Sequence, residues 1–248
     1  MRLLTRVMAG PLALLLLCAC GMRNPLARWV PSPNYGPRQP MLVVIHATEQ
    51  DSVAASLLTL RTANSGGRVS AHYLIGRDGG IYQLVADEHR AWHAGAGRWG
   101  TITDVNSASI GIELDNNGVD AFPAPQIASL LRLLDDLCTR LHIPREQVIG
   151  HADMAPARKR DPGALFPWVT LAAAGFGRWP APDAALAPAG FDAVSALGAL
   201  GYPLDDIPAA VRAFRRHFRG IERAGDRLDA EDARILYALT AHRTDGDR

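Results

Sequence analysis

Met41, Leu42, Val43, Val44 and Ile45 run consecutively with no polar residue among them, so neither parity of the segment is suited to water. A strand of this kind is buried on both faces, which requires a covering layer on each side of its sheet. That one segment restricts the chain to architectures with strands inside and helices outside. The neighbouring sequence supplies both kinds of element. Ser109–Leu114 alternates, with Ile110, Ile112 and Leu114 on one face and Glu113 on the other. Residues 69–75 and 81–85 flank Arg77-Asp78-Gly79-Gly80, where glycine provides the positive φ of a hairpin turn. Residues 147–150 read as a short strand. Asp51 or Ser52 caps a helix that passes through Leu57, Leu58 and Leu60 toward Asn64. Residues 125–142 form the longest helix, with an apolar stripe of Ile127, Leu130, Leu131, Leu134, Leu137 and Leu141. The expected fold class is α/β, a mixed central β-sheet covered by helices.

The two ends of the chain differ from this middle. Arg2 and Arg6 precede an apolar run over 7–19, interrupted by Gly10 and Pro11 and too short to span a bilayer. This reads as an export signal. Its end, Leu17-Cys18-Ala19-Cys20-Gly21, resembles a bacterial lipobox, with cleavage before Cys20 and lipid on the Cys20 sulfur. Cys18 leaves with the signal, so only Cys138 remains and no intrachain disulfide is available. Cys138 sits in the helical stripe as a small core residue. Residues 20–40 carry five prolines and read as a lipid tether and linker. The catalytic body is expected over 41–176, an Ala/Pro linker over 177–190, and a small C-terminal domain of three helices over 191–248. Lys plus Arg number 26 against 25 Asp plus Glu, and only 6% of residues are aromatic. Neither the charge excess nor the stacking surface that nucleic acid requires is present.

His46 ends the doubly buried strand, at the carboxyl edge where α/β sheets place their sites. His151 follows Val148-Ile149-Gly150, and Asp161 comes ten residues later. Two imidazole nitrogens, one carboxylate oxygen and an open fourth position suit a catalytic zinc ion, although such a set also binds other divalent metals. Taken alone the pattern is weak, because there are eight histidines and a strand-end histidine is commonly structural. His89 and His93, four apart, form a rival pair; Ala94-Gly95-Ala96-Gly97 after them favours a loop over a helix, and the order is not HExxH.

Five words occur in order: Val43-Val44-Ile45-His46-Ala47-Thr48, Ala71-His72-Tyr73-Leu74-Ile75, Ala91-Trp92-His93-Ala94-Gly95, Ser109-Ile110-Gly111-Ile112-Glu113-Leu114 and Gly150-His151-Ala152-Asp153. With Arg158-Lys159-Arg160-Asp161-Pro162-Gly163 they resemble the type-2 zinc N-acetylmuramoyl-L-alanine amidases, over roughly residues 31–180. Within that family the chain is most similar to the outer-membrane lipoprotein amidases of Gram-negative bacteria. The resemblance implies hydrolysis of the amide joining the lactyl group of N-acetylmuramic acid to L-alanine. It implies one zinc ion (Zn2+) on His46, His151 and Asp161, with Glu113 handling the proton of water and Lys159 steadying the oxyanion. Trp92, His93 and Asn116-Asn117 are expected to line the glycopeptide cleft.

Some relatives carry a tyrosine immediately before the position of His72. Here Ala71 stands there, which places more weight on Glu113; His72 itself is expected to pack or hydrogen-bond within the sheet. The tail resembles a peptidoglycan-binding three-helix module in Val194-Ser195-Ala196-Leu197, Leu200-Gly201-Tyr202 and the run 210–218. The alternative is a helical cap packed on the catalytic body. Arg212, Arg215, Arg216 and Arg219 either attract peptide carboxylates or form a solvated face. The implied partners are peptidoglycan and muropeptides, with a membrane anchor through Cys20, no nucleic acid, and a place on the outer membrane facing the periplasm. Two rival readings are a non-catalytic peptidoglycan-binding protein of the same fold and a cytoplasmic recycling amidase confined to anhydro-muropeptides. The first characteristically lacks a metal ligand, and the export segment argues against the second.

Overall fold

The computed structural model describes residues 23–37, 40–64, 67–222 and 225–241. The export segment and Cys20 lie outside them. Its elements in chain order begin with β1 (Arg28–Trp29), β2 (Tyr35–Pro37), β3 (Leu42–Ala47) and α1 (Val53–Arg61). Next come β4 (Ala63–Asn64), β5 (Gly67–Arg68), β6 (Tyr73–Ile75), β7 (Ile81–Gln83) and β8 (His89–Ala91). These are followed by α2 (Val105–Ala108), β9 (Ser109–Leu114), α3 (Ala124–Arg140), β10 (Val148–Gly150), α4 (His151–Met154) and α5 (Trp168–Ala173). Beyond 177–190, which holds no helix or strand, come α6 (Ala193–Leu200), α7 (Ile207–Arg219) and α8 (Ala230–Thr240).

The main sheet has the order β1-β7-β6-β9-β3-β10. β6, β9, β3 and β10 run parallel, and β7 turns back antiparallel to β6 through the Arg77–Gly80 hairpin, making the sheet mixed. β3 lies between β9 and β10 and is buried at every residue. One face, through Val43, Ile45, Ile110, Ile112 and Leu114, packs on Ile127, Leu130, Leu133, Leu134, Leu137 and Cys138 of α3. Proline in the first turn of α3 costs no hydrogen bond and presets the helical φ. On the other face Leu42 and Val44 meet Ala94, Val105, Met154 and Ala155, and Leu74 meets Leu60. Ser52 caps α1 by accepting the Ala55 N–H at 3.2 Å.

Residues 24–37 differ from the expected tether. β1 pairs with β7 and β2 with β8. Asn24 is buried: its backbone N–H donates to Gln83 Oε1 at 2.9 Å and its side-chain amide to Asp136 Oδ2 at 2.6 Å. The prolines break periodicity but do not prevent edge pairing, which needs few donors.

The arginine run of α7 is also not the expected solvated face. Arg215 is buried on Asp232 (2.6 Å) and Asp229, Arg219 bonds both aspartates, and Arg216 bonds Glu222 at 3.0 Å. The C-terminal helices pack on the body around α4. Ala152 joins the cluster of Leu197, Leu200, Val211 and Phe214, and Trp99 lies against Gly201 so closely that a Cβ there would meet its ring at 2.6 Å.

Candidate active site

β3, β9 and β10 deliver their last residues to one edge of the sheet. In the parallel register His46 stands beside Glu113, so both side chains project from the same face. β10 ends at Gly150, and His151 opens the single turn of α4. Asp161 returns to this turn through its own carbonyl, which accepts the Ala152 N–H at 2.9 Å. A cleft of about 220 Å³ is lined by His46, Trp92, His93, Glu113, His151, Lys159 and Asp161. Residues separated by more than a hundred positions thus share one cavity. Asn116 lies outside it: its side chain accepts the Gly118 N–H and donates to the Asp120 carbonyl, shaping the loop of an adjoining groove of about 540 Å³.

Three ligand atoms converge. His46 Nδ1 and His151 Nδ1 are 2.9 Å apart, and Asp161 Oδ2 is 3.3 Å and 3.1 Å from them respectively. All three residues are at most 6% exposed. Bonds of ~2.0–2.2 Å to a tetrahedral ion would space its ligands about 3.3 Å apart, close to the observed triangle. The proton inventory supports the same fit. His151 Nε2 faces the Ala94 carbonyl at 2.9 Å and donates to it, which turns Nδ1 toward the other two ligand atoms.

For His46 the chain of donors is longer. The Ser109 hydroxyl donates to the Val105 carbonyl and accepts from His93 Nε2 at 3.2 Å. In the tautomer where His46 Nε2 donates to His93 Nδ1, 2.9 Å away, His46 Nδ1 is left bare toward the other two ligand atoms. Burial, followed by the neighbouring His151, lowers the His46 pKa to about 4 and keeps the ring neutral. Despite its burial, the Asp161 carboxyl beside these two rings is held well below the usual carboxylate range. Two lone pairs and a carboxylate aimed at one point are a donor set for a cation.

Glu113 lines the same cleft. Burial, then the charge of Asp161, pushes its carboxyl up to about 8, while Lys159 pulls it down. Among the described residues its Oε2 has no hydrogen-bond partner, leaving an oxygen available inside the cavity. A carboxyl tuned in this way near a cation is the usual form of a general base. His72 is fully buried and structural: its Nδ1 accepts the Gly111 N–H and its Nε2 donates to the His89 carbonyl, both at 2.9 Å. Ala71 is buried as well and presents no polar group. The part of this site that sequence reasoning missed is the His46–His93–Ser109 relay. Its only trace in the sequence is Gly111, where a Cβ would meet the His93 ring at 2.4 Å.

Comparison with known proteins places this geometry. The family model of N-acetylmuramoyl-L-alanine amidase (Amidase_2) matches residues 36–164. N-acetylmuramoyl-L-alanine amidase AmiD of Escherichia coli K12 is 40% identical over 80% of this chain and 81% of its own. The 1,6-anhydro-N-acetylmuramyl-L-alanine amidase AmpD of Citrobacter freundii is 36% identical, covering 59% of this chain and 89% of its own. Among solved structures, E. coli AmiD in complex with anhydro-N-acetylmuramic acid-L-Ala-D-γ-Glu-L-Lys superposes with a TM-score of 0.72, at 35% identity over 84% of this chain and 91% of that one. AmpDh3 of Pseudomonas aeruginosa, in complex with an anhydromuramic pentapeptide, also has a TM-score of 0.72, at 33% identity over 89% and 98%. With the family's match taking in His46, Glu113, His151, Lys159 and Asp161, and the AmiD likeness covering 80% of the chain, the chain belongs to the N-acetylmuramoyl-L-alanine amidase family.

Proposed function

We propose that this amidase works with one zinc ion on His46, His151 and Asp161 and cleaves the bond between the lactyl group of N-acetylmuramic acid and L-alanine in peptidoglycan or muropeptides. The observation that carries the reading is the convergence of His46 Nδ1, His151 Nδ1 and Asp161 Oδ2 at 2.9–3.3 Å from one another, beside a Glu113 oxygen with no hydrogen-bond partner among the described residues. When bound, zinc supplies Lewis acidity that acidifies water and polarises a carbonyl.

The rest falls to the chain. Glu113 takes the proton of the attacking water and passes it to the departing amine of L-alanine. Lys159 sets a positive charge where negative charge develops on the carbonyl oxygen. Trp92 and His93 wall the cleft on the side of β8, and Asn116 organises the groove that continues it. The three ligands sit near the end of β3, at the start of α4 and in the turn that follows α4. The division into a signal over 1–19, a lipidated start at Cys20, the amidase body and a C-terminal helical module is part of the same proposal. The basic start, the short apolar run and the lipobox-like Leu17-Cys18-Ala19-Cys20-Gly21 support a lipoprotein on the outer membrane facing the periplasm.

The test is mass spectrometry of products from defined muropeptides, with metal content measured on the same sample. Release of intact L-Ala-peptides by the zinc-loaded chain, lost on chelation and restored by zinc, is expected. Undiminished release from verified metal-free protein refutes the mechanism. Incorporation of radiolabelled fatty acid at Cys20, abolished by Cys20→Ser, checks the anchor.

A further inference from the structure

The single turn α4 carries the ligand His151 as its first residue and Asp153 as its third. A helix this short has no stability of its own, so whatever packs on it sets its position. Asp153 is buried at 2% exposure and accepts three hydrogen bonds. Its Oδ2 takes the Gly150 backbone N–H and His217 Nδ1, both at 2.7 Å; its Oδ1 takes the Tyr202 hydroxyl at 2.6 Å. One of these donors is the backbone directly before the ligand. The other two belong to the C-terminal helical region.

Both are themselves fixed. His217 stacks on Trp168 with ring centroids 3.7 Å apart and planes 9° from parallel, and Tyr202 sets its ring against Trp99 at 5.2 Å. The second ligand segment meets the same point. A Cβ on Gly150 would lie 2.9 Å from Pro162 Cδ, and Ala152 holds the Asp161 carbonyl. A buried carboxylate with three donors is a stiff joint, and catalytic constellations tolerate errors of only about 0.5 Å.

We infer that Tyr202 and His217 are positioning residues that hold the metal ligand His151 through Asp153, making the C-terminal helices part of the metal site. The inference rests on reading His46, His151 and Asp161 as metal ligands. It gives the helices a role that is separate from any contact with cell wall.

The experiment compares Tyr202→Phe, His217→Ala and His217→Asn with Arg219→Ala in the purified full chain. Arg219 ties α7 to Asp229 and Asp232 and does not touch Asp153. Zinc affinity is read by chelator competition, ligand geometry by the visible spectrum of the cobalt-loaded protein, and stability by melting in excess chelator. Tyr202→Phe and His217→Ala are expected to weaken zinc about tenfold and alter the cobalt spectrum. His217→Asn, whose amide nitrogen replaces Nδ1, restores most of the affinity. Arg219→Ala lowers the melting temperature and leaves zinc affinity unchanged. Affinities within about twofold of the parent in both Tyr202→Phe and His217→Ala overturn the inference, as does an equal loss in Arg219→Ala. A parent chain that binds no zinc refutes the metal reading itself.

Discussion

His46 and Glu113 stand side by side on adjacent strands, yet their environments drive them apart: one is kept a bare base at Nδ1, the other is a carboxyl raised by burial. This separation of roles predicts separable losses. Glu113→Gln is expected to lower turnover by about 10²–10⁴ while zinc content and muropeptide binding persist. Lys159→Met is expected to cost about 10²–10³ in kcat with little change in metal content. Steady-state kinetics with metal analysis on the same preparations checks both; loss of zinc in Glu113→Gln would instead make that residue part of the ligand support. His93→Ala is a different case, since His93 Nδ1 lies 2.9 Å from His46 Nε2 and braces the proposed ligand. It is expected to weaken zinc by about 10–100-fold in a chelator titration. The convergence of His46, His151 and Asp161 was legible in the sequence because all three fall in recognisable words. The relay was not, because a hydrogen bond between residues 46 and 93 leaves no mark in the spacing of either.

At the level of elements, β9 shows how local pattern and site geometry are bound together. Alternation puts Ile110, Ile112 and Leu114 on α3 and leaves Glu113 facing the cleft, while Gly111 leaves room for the His93 ring. Gly111→Ala forces that ring away and is expected to destabilise the fold by about 1–3 kcal/mol and to lower zinc affinity in parallel. Thermal melting with and without chelator measures both effects; an unchanged affinity would show that the ring has another resting place. The doubly apolar β3, the hairpin at Arg77–Gly80 and the long amphipathic α3 were readable because each depends on neighbours a few residues away. β1 and β2 were not, because short edge strands broken by prolines carry no period. Nor was the burial of Arg215 and Arg216, whose partners Asp229, Asp232 and Glu222 come from later turns of chain.

Across the whole molecule, Asn24 is held on the body by Gln83 and Asp136. Under the proposed lipidation at Cys20, four residue steps lie between the lipidated residue and Asn24, a contour of at most about 14 Å. Lipidation there would hold the enzyme close to the bilayer. Inserting ~20 Gly/Ser residues between Arg23 and Asn24 adds about 25 Å of root-mean-square reach. The insertion is expected to speed release from intact sacculi while leaving cleavage of soluble muropeptides unchanged. Equal rates on sacculi would show that the tether does not limit access. The most direct test of the ligand triad is anomalous diffraction across the zinc edge from crystals of the active protein. The expected map has one peak bonded to His46 Nδ1, His151 Nδ1 and Asp161 Oδ2. A fully active crystal-grade preparation whose metal peak lies elsewhere, or is absent, contradicts the account.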